Sequence, residues 1–150
     1  MKMRWLTGFV LLLLSGALFA KGSVDGLWKA YYVDTNIPSA DVRITTQPNG
    51  ELKGVIEKNY PRPGGYQGAD CINCKGADKD KPFVGLTIVW GMKPDSSNSN
   101  HWSGGKILNA DTGDIYTAEA TLSDDGKKLD LRGYILNPLF GKTATWDRIK

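Results

Sequence analysis

Tyr116-Thr117-Ala118-Glu119-Ala120-Thr121-Leu122 decides the fold. Tyr116, Ala118, Ala120 and Leu122 alternate with Thr117, Glu119 and Thr121. A period of two marks a strand with one face in a core and the other in water. Asp124-Asp125-Gly126 follows as a turn. Leu129, Leu131, Gly133 and Ile135 then alternate with Asp130, Arg132 and Tyr134, so the spacing predicts an antiparallel hairpin. Asn137-Pro138 and Gly141 mark the next turn, and 142–149 reads as a last strand.

The same punctuation continues upstream. Asp111 to Asp114 turns the chain, 102–109 reads as a strand, and 95–100 is a polar loop. The run 83–92 is almost wholly apolar and reads as the most buried strand. Residues 51–60 and 41–47 flank Pro48-Asn49-Gly50, and Asn-Gly between two strand-like runs signals a hairpin because both residues tolerate positive φ. In the earlier run Val42, Ile44 and Thr46 share one side, with Arg43 opposite. The first strand is 27–33, with Trp28, Ala30 and Tyr32 on one side. Between 61 and 82 lies an irregular segment of about twenty residues, a length that in a compact domain is functional or internally stapled.

Eight strands joined mostly by short turns, with no linker, make residues 21–150 a single all-β domain. Closure into an up-and-down antiparallel barrel removes the sheet edges; a two-sheet β-sandwich is the competing solution. Trp28 and Arg148 favour closure. They lie on the first and last strands, which become neighbours in a closed meander. There a guanidinium can lie on the indole, gaining ~1 kcal/mol, and plug the barrel floor.

The first twenty residues read as a signal peptide. Lys2 and Arg4 precede the apolar run Leu6 to Leu14, and Ser15, Gly16, Ala17 and Ala20 are small. Cleavage is expected after Ala20, with Ala17 the alternative. The run is short of the ~20 residues that span a bilayer, and no cysteine follows to carry a lipid anchor. The expected location is periplasmic or secreted. Losing Lys2 and Arg4 takes two positive charges from a formal +3. The near-neutral remainder has no basic stripe, so a nucleic-acid partner is not expected.

Six motifs occur in order along the chain: Gly26-Leu27-Trp28, Pro61-Arg62-Pro63-Gly64, Cys71-x-x-Cys74-Lys75-Gly76, Trp102-x-x-Gly105-Lys106-Ile107, Leu129-x-x-Arg132-Gly133-Tyr134 and Trp146-x-Arg148. Together they resemble the bacterial domain of unknown function family 2147, over essentially all of residues 21–150. The resemblance implies an exported, lipocalin-like, calycin-type barrel. It brings no mechanism; lipocalin kinship implies only that a small apolar molecule sits inside the barrel.

Side-chain chemistry points the same way. Cys71-Ile72-Asn73-Cys74 has three readings: a structural disulfide stapling the long loop, a redox pair, or half of a metal site. A redox thiol needs a helix N-terminus, and 75–82 has no apolar helical face. A metal site needs about four ligands where the chain offers two cysteines and one histidine. In an oxidising compartment the disulfide is the expectation. His101 follows a polar loop without a visible partner, and no nucleophile elbow accompanies it. Asp124 and Asp125 are turn residues. No catalytic residue, metal or cofactor is therefore expected.

Trp90, Trp102, Tyr116, Tyr134 and Trp146 come from five strands, and inward aromatics with polar tips suit an amphipathic ligand. Arg132 is a candidate anchor for the ligand's anionic group, although alternation turns it to solvent if the leucines face inward. The expected function is binding of a small apolar or amphipathic, lipid-like molecule in the bacterial envelope, without catalysis. The alternatives are a protein-interaction or assembly module using the 61–82 loop, and a thiol–disulfide oxidoreductase. A barrel of eight strands can also be filled by its own side chains, leaving no cavity.

Overall fold

A computed structural model describes residues 22–150. The expected signal peptide lies outside the described residues. Eight strands run in chain order: β1 (Gly26–Tyr31), β2 (Pro38–Thr46), β3 (Leu52–Asn59), β4 (Thr87–Pro94), β5 (His101–Asn109), β6 (Asp114–Leu122), β7 (Lys128–Tyr134) and β8 (Lys142–Arg148). Each pairs antiparallel with the next, and β8 returns to β1, closing the barrel. The closure excludes the sandwich. Among the described residues helix is confined to single 3₁₀ turns at Gly76–Asp78 and Pro138–Phe140.

The β6–β7 hairpin has the alternation read from the sequence. Ala118 faces Gly133, Ala120 faces Leu131 and Leu122 faces Leu129, and all but the half-buried Gly133 are buried in the core. Val42 and Ile44 are likewise buried, while Arg43 faces outward to bind Glu57 at 2.8 Å. Gly50 and Gly126 take positive φ and close the Asn49-Gly50 and Asp125-Gly126 turns.

An up-and-down meander places alternate connections at opposite ends. Residues 47–51, 95–100 and 123–127 form one end, and residues 32–37, 60–86, 110–113 and 135–141 the other. The first end is closed. The Arg148 guanidinium lies 4.3 Å over the Trp28 ring, and Trp28 is fully buried. Arg148 also donates from Nε to the Gly126 carbonyl at 2.6 Å, from Nη1 to that of Asp25 at 3.0 Å, and from Nη2 to that of Ser23. The Trp28 indole N–H donates to the Val24 carbonyl at 3.0 Å. One cation thus ties the first strand, the last strand, the 123–127 turn and the chain entry together. Above this floor Ile44, Leu52, Met92, Trp102 and Leu129 fill the barrel.

The 83–92 run departs from its expected single, most buried strand. Gly85, at φ +92, turns the chain and donates to the Ile56 carbonyl. Phe83 and Leu86 therefore pack inward from a turn, Val84 is exposed, and the strand begins only at Thr87. Apolar composition alone did not reveal this break, because Phe83 and Leu86 need burial whether in a strand or a turn.

Candidate functional site

Large side chains fill the closed half, whereas small ones on β1, β2 and β8 leave room in the open half. Ala30 pairs with Ala40 across β1 and β2, and Leu131 with Ala144 across β7 and β8. The alanine methyls at these inward positions on neighbouring strands leave space that leucines would occupy. The result is a cavity of about 610 Å³ open at the 32–37, 60–86, 110–113 and 135–141 end. That volume lies within the ~300–1,000 Å³ range of small-molecule sites. Ile56, Ile88, Leu108, Leu131 and Trp146 make an apolar wall. Asn59, Arg62, Asn109, Asp111, Tyr116 and Tyr134 bring polar atoms to the upper wall and rim.

The 60–86 connection is part of this wall, since Pro61, Arg62, Tyr66, Ile72, Asn73 and Phe83 all line the cavity. Cys71 and Cys74 form a disulfide and are buried. Around it the Cys71 amide donates to the Lys81 carbonyl at 2.7 Å, and the Asn73 side chain donates to the Asp111 carbonyl at 2.7 Å. Gly113, at φ +79, lies so close beneath the loop that a Cβ there would sit 1.8 Å from the Asn73 carbonyl oxygen. The bridge therefore shapes a loop held down on the β5–β6 turn.

The sequence candidates divide. Tyr116, Tyr134 and Trp146 line the cavity. Trp102 does not; it is buried deeper, opposite Ala120 and next to the filled floor. Trp90 is half-buried beside inward-facing Val89 and opposite Lys106, outside the cavity wall. Arg132 is outside as well. Leu131 takes the inward position, and the Arg132 guanidinium donates to the Pro138 carbonyl at 2.8 Å and the Thr143 hydroxyl at 3.0 Å. Its donors tie the 135–141 turn and β8 to β7. His101, expected in a loop, is the first residue of β5 and sits at the closed end, its Nδ1 3.0 Å from the Thr121 hydroxyl. Among the described residues no group of three or more His, Cys, Asp or Glu side chains could hold a metal ion.

A family described as "Uncharacterized protein conserved in bacteria", DUF2147, matches residues 26–148. The chain belongs to the DUF2147 family. No curated protein matches it. Among solved structures it is similar to one titled "Protein HP1028 from the human pathogen Helicobacter pylori belongs to the lipocalin family". The TM-score is 0.69 at 16% identity, over 85% of this chain and 84% of that one. At that identity the likeness speaks for the fold: this DUF2147 barrel is lipocalin-like.

The rim of the DUF2147 barrel carries both signs of charge. Arg62 lies 3.5 Å from the Asp111 carboxylate and 5.2 Å from the centre of the Tyr32 ring. The Tyr32 hydroxyl donates to the Tyr60 carbonyl at 2.8 Å. Burial, with Asp111 adding to it, pushes the Tyr32 phenol up, so it stays a neutral donor. Lys142 meets Asp34 at 2.7 Å, and this bond raises the Lys142 ammonium above its ordinary value. Another titratable cluster, Lys29 on β1, Asp41 on β2 and Tyr60 just after β3, lies outside the cavity lining. There Lys29 reaches the Asp41 carboxylate and the Tyr60 hydroxyl, each at 2.9 Å. Sequence reasoning missed Arg62, Asp111 and Tyr32 as rim residues. Strand counting would have found them, because a closed meander puts every odd-to-even connection at one end.

Proposed function

We propose that this DUF2147 protein is an exported carrier that holds one small apolar or amphipathic molecule in its barrel and does not transform it. The observation carrying this reading is the cavity of about 610 Å³, apolar in its walls and polar at its rim. Such a shape takes an acyl or aromatic body downward and leaves a polar head among Arg62, Asn109 and Tyr116. The lipocalin-like fold supports it, since eight-stranded barrels are wide enough to hold one small ligand. The burial of the Cys71–Cys74 bridge supports a structural rather than a redox role, because exchange requires access to a sulfur. The signal-like start of the chain, Lys2 and Arg4 before Leu6–Leu14, supports work in the periplasm or outside the cell.

Trp146 in the cavity wall is a built-in reporter. Titration with a medium- or long-chain fatty acid below its micelle concentration should change tryptophan fluorescence along a one-site curve. Ala30→Phe, which projects a ring into the cavity, should weaken that binding at least about tenfold while leaving a folded barrel. A fluorescence change that persists unaltered in the filled variant would place the probe elsewhere and remove the basis of the proposal.

A further inference from the structure

The β7–β8 connection reads Ile135-Leu136-Asn137-Pro138-Leu139-Phe140-Gly141 and carries no charge. Ile135 is 75% exposed, Leu136 92%, Leu139 80% and Phe140 84%. Four such side chains in seven residues form a contiguous apolar projection, the kind of surface that marks a contact with something other than water. The projection stands at the open end, and Ile135 and Phe140 also line the cavity. Outer tip and inner wall are thus one continuous apolar surface.

We propose that this loop is a membrane-docking tip, seating the barrel mouth on a lipid bilayer from which the cavity draws its ligand. The inference rests on the carrier reading above. The second half of the loop has its backbone amides satisfied internally, which suits a lipid interface. The Leu139 amide donates to the Asn137 side chain at 2.9 Å, the Phe140 amide to the Asn137 carbonyl at 3.0 Å, and the Gly141 amide to the Pro138 carbonyl at 3.4 Å. Pro138 has no amide hydrogen, and its carbonyl accepts from Arg132. Unpaired backbone groups bar a segment from an apolar phase, and this turn keeps these groups paired.

The connections at this end carry Asp34, Asp70, Asp78, Asp80 and Asp111 against Arg62, Lys75, Lys79 and Lys81, so the mouth as a whole is near neutral. The positive charge that favours an anionic lipid surface is local to the loop's own flanks. Between Asp130 and Asp147 the chain has two cations, Arg132 and Lys142, and no acid. Both flank the apolar loop at its base, the depth at which headgroup phosphates lie when the tip is inserted. Lys142 is held by Asp34, but that pair is exposed on both sides, at 72% and 70%, and can yield to a phosphate at little cost. A lipid chain moving from bilayer to cavity along Phe140 and Ile135 would never cross open water.

The test uses the purified protein with floated vesicles of phosphatidylcholine, alone and mixed with phosphatidylglycerol. Leu136 and Leu139 lie outside the cavity lining, so L136S/L139S separates docking from ligand binding. The wild type should float with vesicles, more strongly with the anionic mixture, and L136S/L139S should lose about tenfold or more of that partitioning. Both should bind a monomeric fluorescent fatty acid equally. A wild type that stays behind while still binding the probe overturns docking and leaves the carrier reading standing. Equal flotation of the two proteins also overturns it. Vesicle binding without any probe binding keeps the tip as a docking device and removes the carrier reading. A concentration-dependent dimer that L136S/L139S dissolves, with no flotation, overturns the proposal in favour of a second copy of the chain as the occupant.

Discussion

Removing the Arg148 side chain tests how the barrel is shut. Arg148→Ala deletes a cation–π contact made at 4.3 Å to a fully buried Trp28, worth about 1 kcal/mol. It also deletes three donors to the carbonyls of Gly126, Asp25 and Ser23. These hydrogen bonds come from a charged group but are partly wet, so about 0.5–1 kcal/mol each is appropriate. The expected total is about 3 kcal/mol. With a urea m-value near 2 kcal/mol per molar for a domain of this size, the midpoint falls by roughly 1.5 M. Arg148→Lys keeps a charge over the indole but reaches one carbonyl rather than three, and should fall about half as far. Urea unfolding at pH 7 by tryptophan fluorescence measures both. A shift for Arg148→Ala below about 0.3 M would refute the reasoning. So would an Arg148→Lys protein as stable as the wild type, because the fork geometry would then contribute nothing. Gly26→Ala offers an independent route to the same lock, since its Cβ would lie 2.5 Å from Arg148 Nη1 and 2.7 Å from the Lys150 carbonyl oxygen.

Gly113→Ala should lift the 60–86 loop off the β5–β6 turn. Its Cβ would stand 1.8 Å from the Asn73 carbonyl; hydrogen exchange should show faster amides at Cys71 and Cys74, with a stability loss of about 2 kcal/mol or more. Cys71→Ser/Cys74→Ser should lower stability by only about 2 kcal/mol, the entropy expected for so small a ring, and leave fatty-acid binding measurable. Loss of a disulfide-exchange activity in that variant would instead reinstate the redox reading. Asp147 gives a pH signature. Lys128 first and Tyr31 second hold its carboxyl below the usual aspartate range. A depressed folded-state value means the stabilisation is present above the ordinary pKa of about 4 and is lost as pH falls through the lower value. Asp147→Asn should flatten the stability profile over that acid window. The difference should not exceed about 1 kcal/mol, because Lys128 and Asp147 are each more than one-third exposed.

The strands were legible because a closed barrel with one wet face writes its geometry into alternation. Tyr116–Leu122 and Leu129–Gly133 read inside-outside residue by residue, and Asn49-Gly50 and Asp125-Gly126 read as turns. The Trp28–Arg148 closure was legible from strand count, since only the first and last strands of a meander can meet. Alternation says nothing, however, about height along the barrel axis. Trp102 and Trp146 are both buried, yet one packs into the filled half of the barrel and the other faces the cavity. Their heights depend on cross-strand register, which is set by distant pairs such as Trp102 with Ala120 and Trp146 with Leu129. Trp90 was misplaced for a different reason. Gly91, at φ +72 within β4, breaks the alternation so that Val89 and Met92 are both buried with Trp90 between them only half-buried, and an apolar run hides which of its members faces in. The cavity itself had a faint signal in the small residues Ala30, Ala40, Gly133 and Ala144, which cluster toward the same end of their strands. The exposed 135–141 loop was plain as a string of apolar residues but read as a mere turn, because exposure is a property of the packed chain.

Native mass spectrometry of the protein purified from its own cell envelope, followed by solvent extraction, tests the carrier account most directly. The account predicts an added mass of a single small molecule, released by solvent, apolar or amphipathic, and displaced in the Ala30→Phe protein. A bare polypeptide mass, two hydrogens light for the Cys71–Cys74 bridge and still bare after soaking with fatty acids, would contradict it.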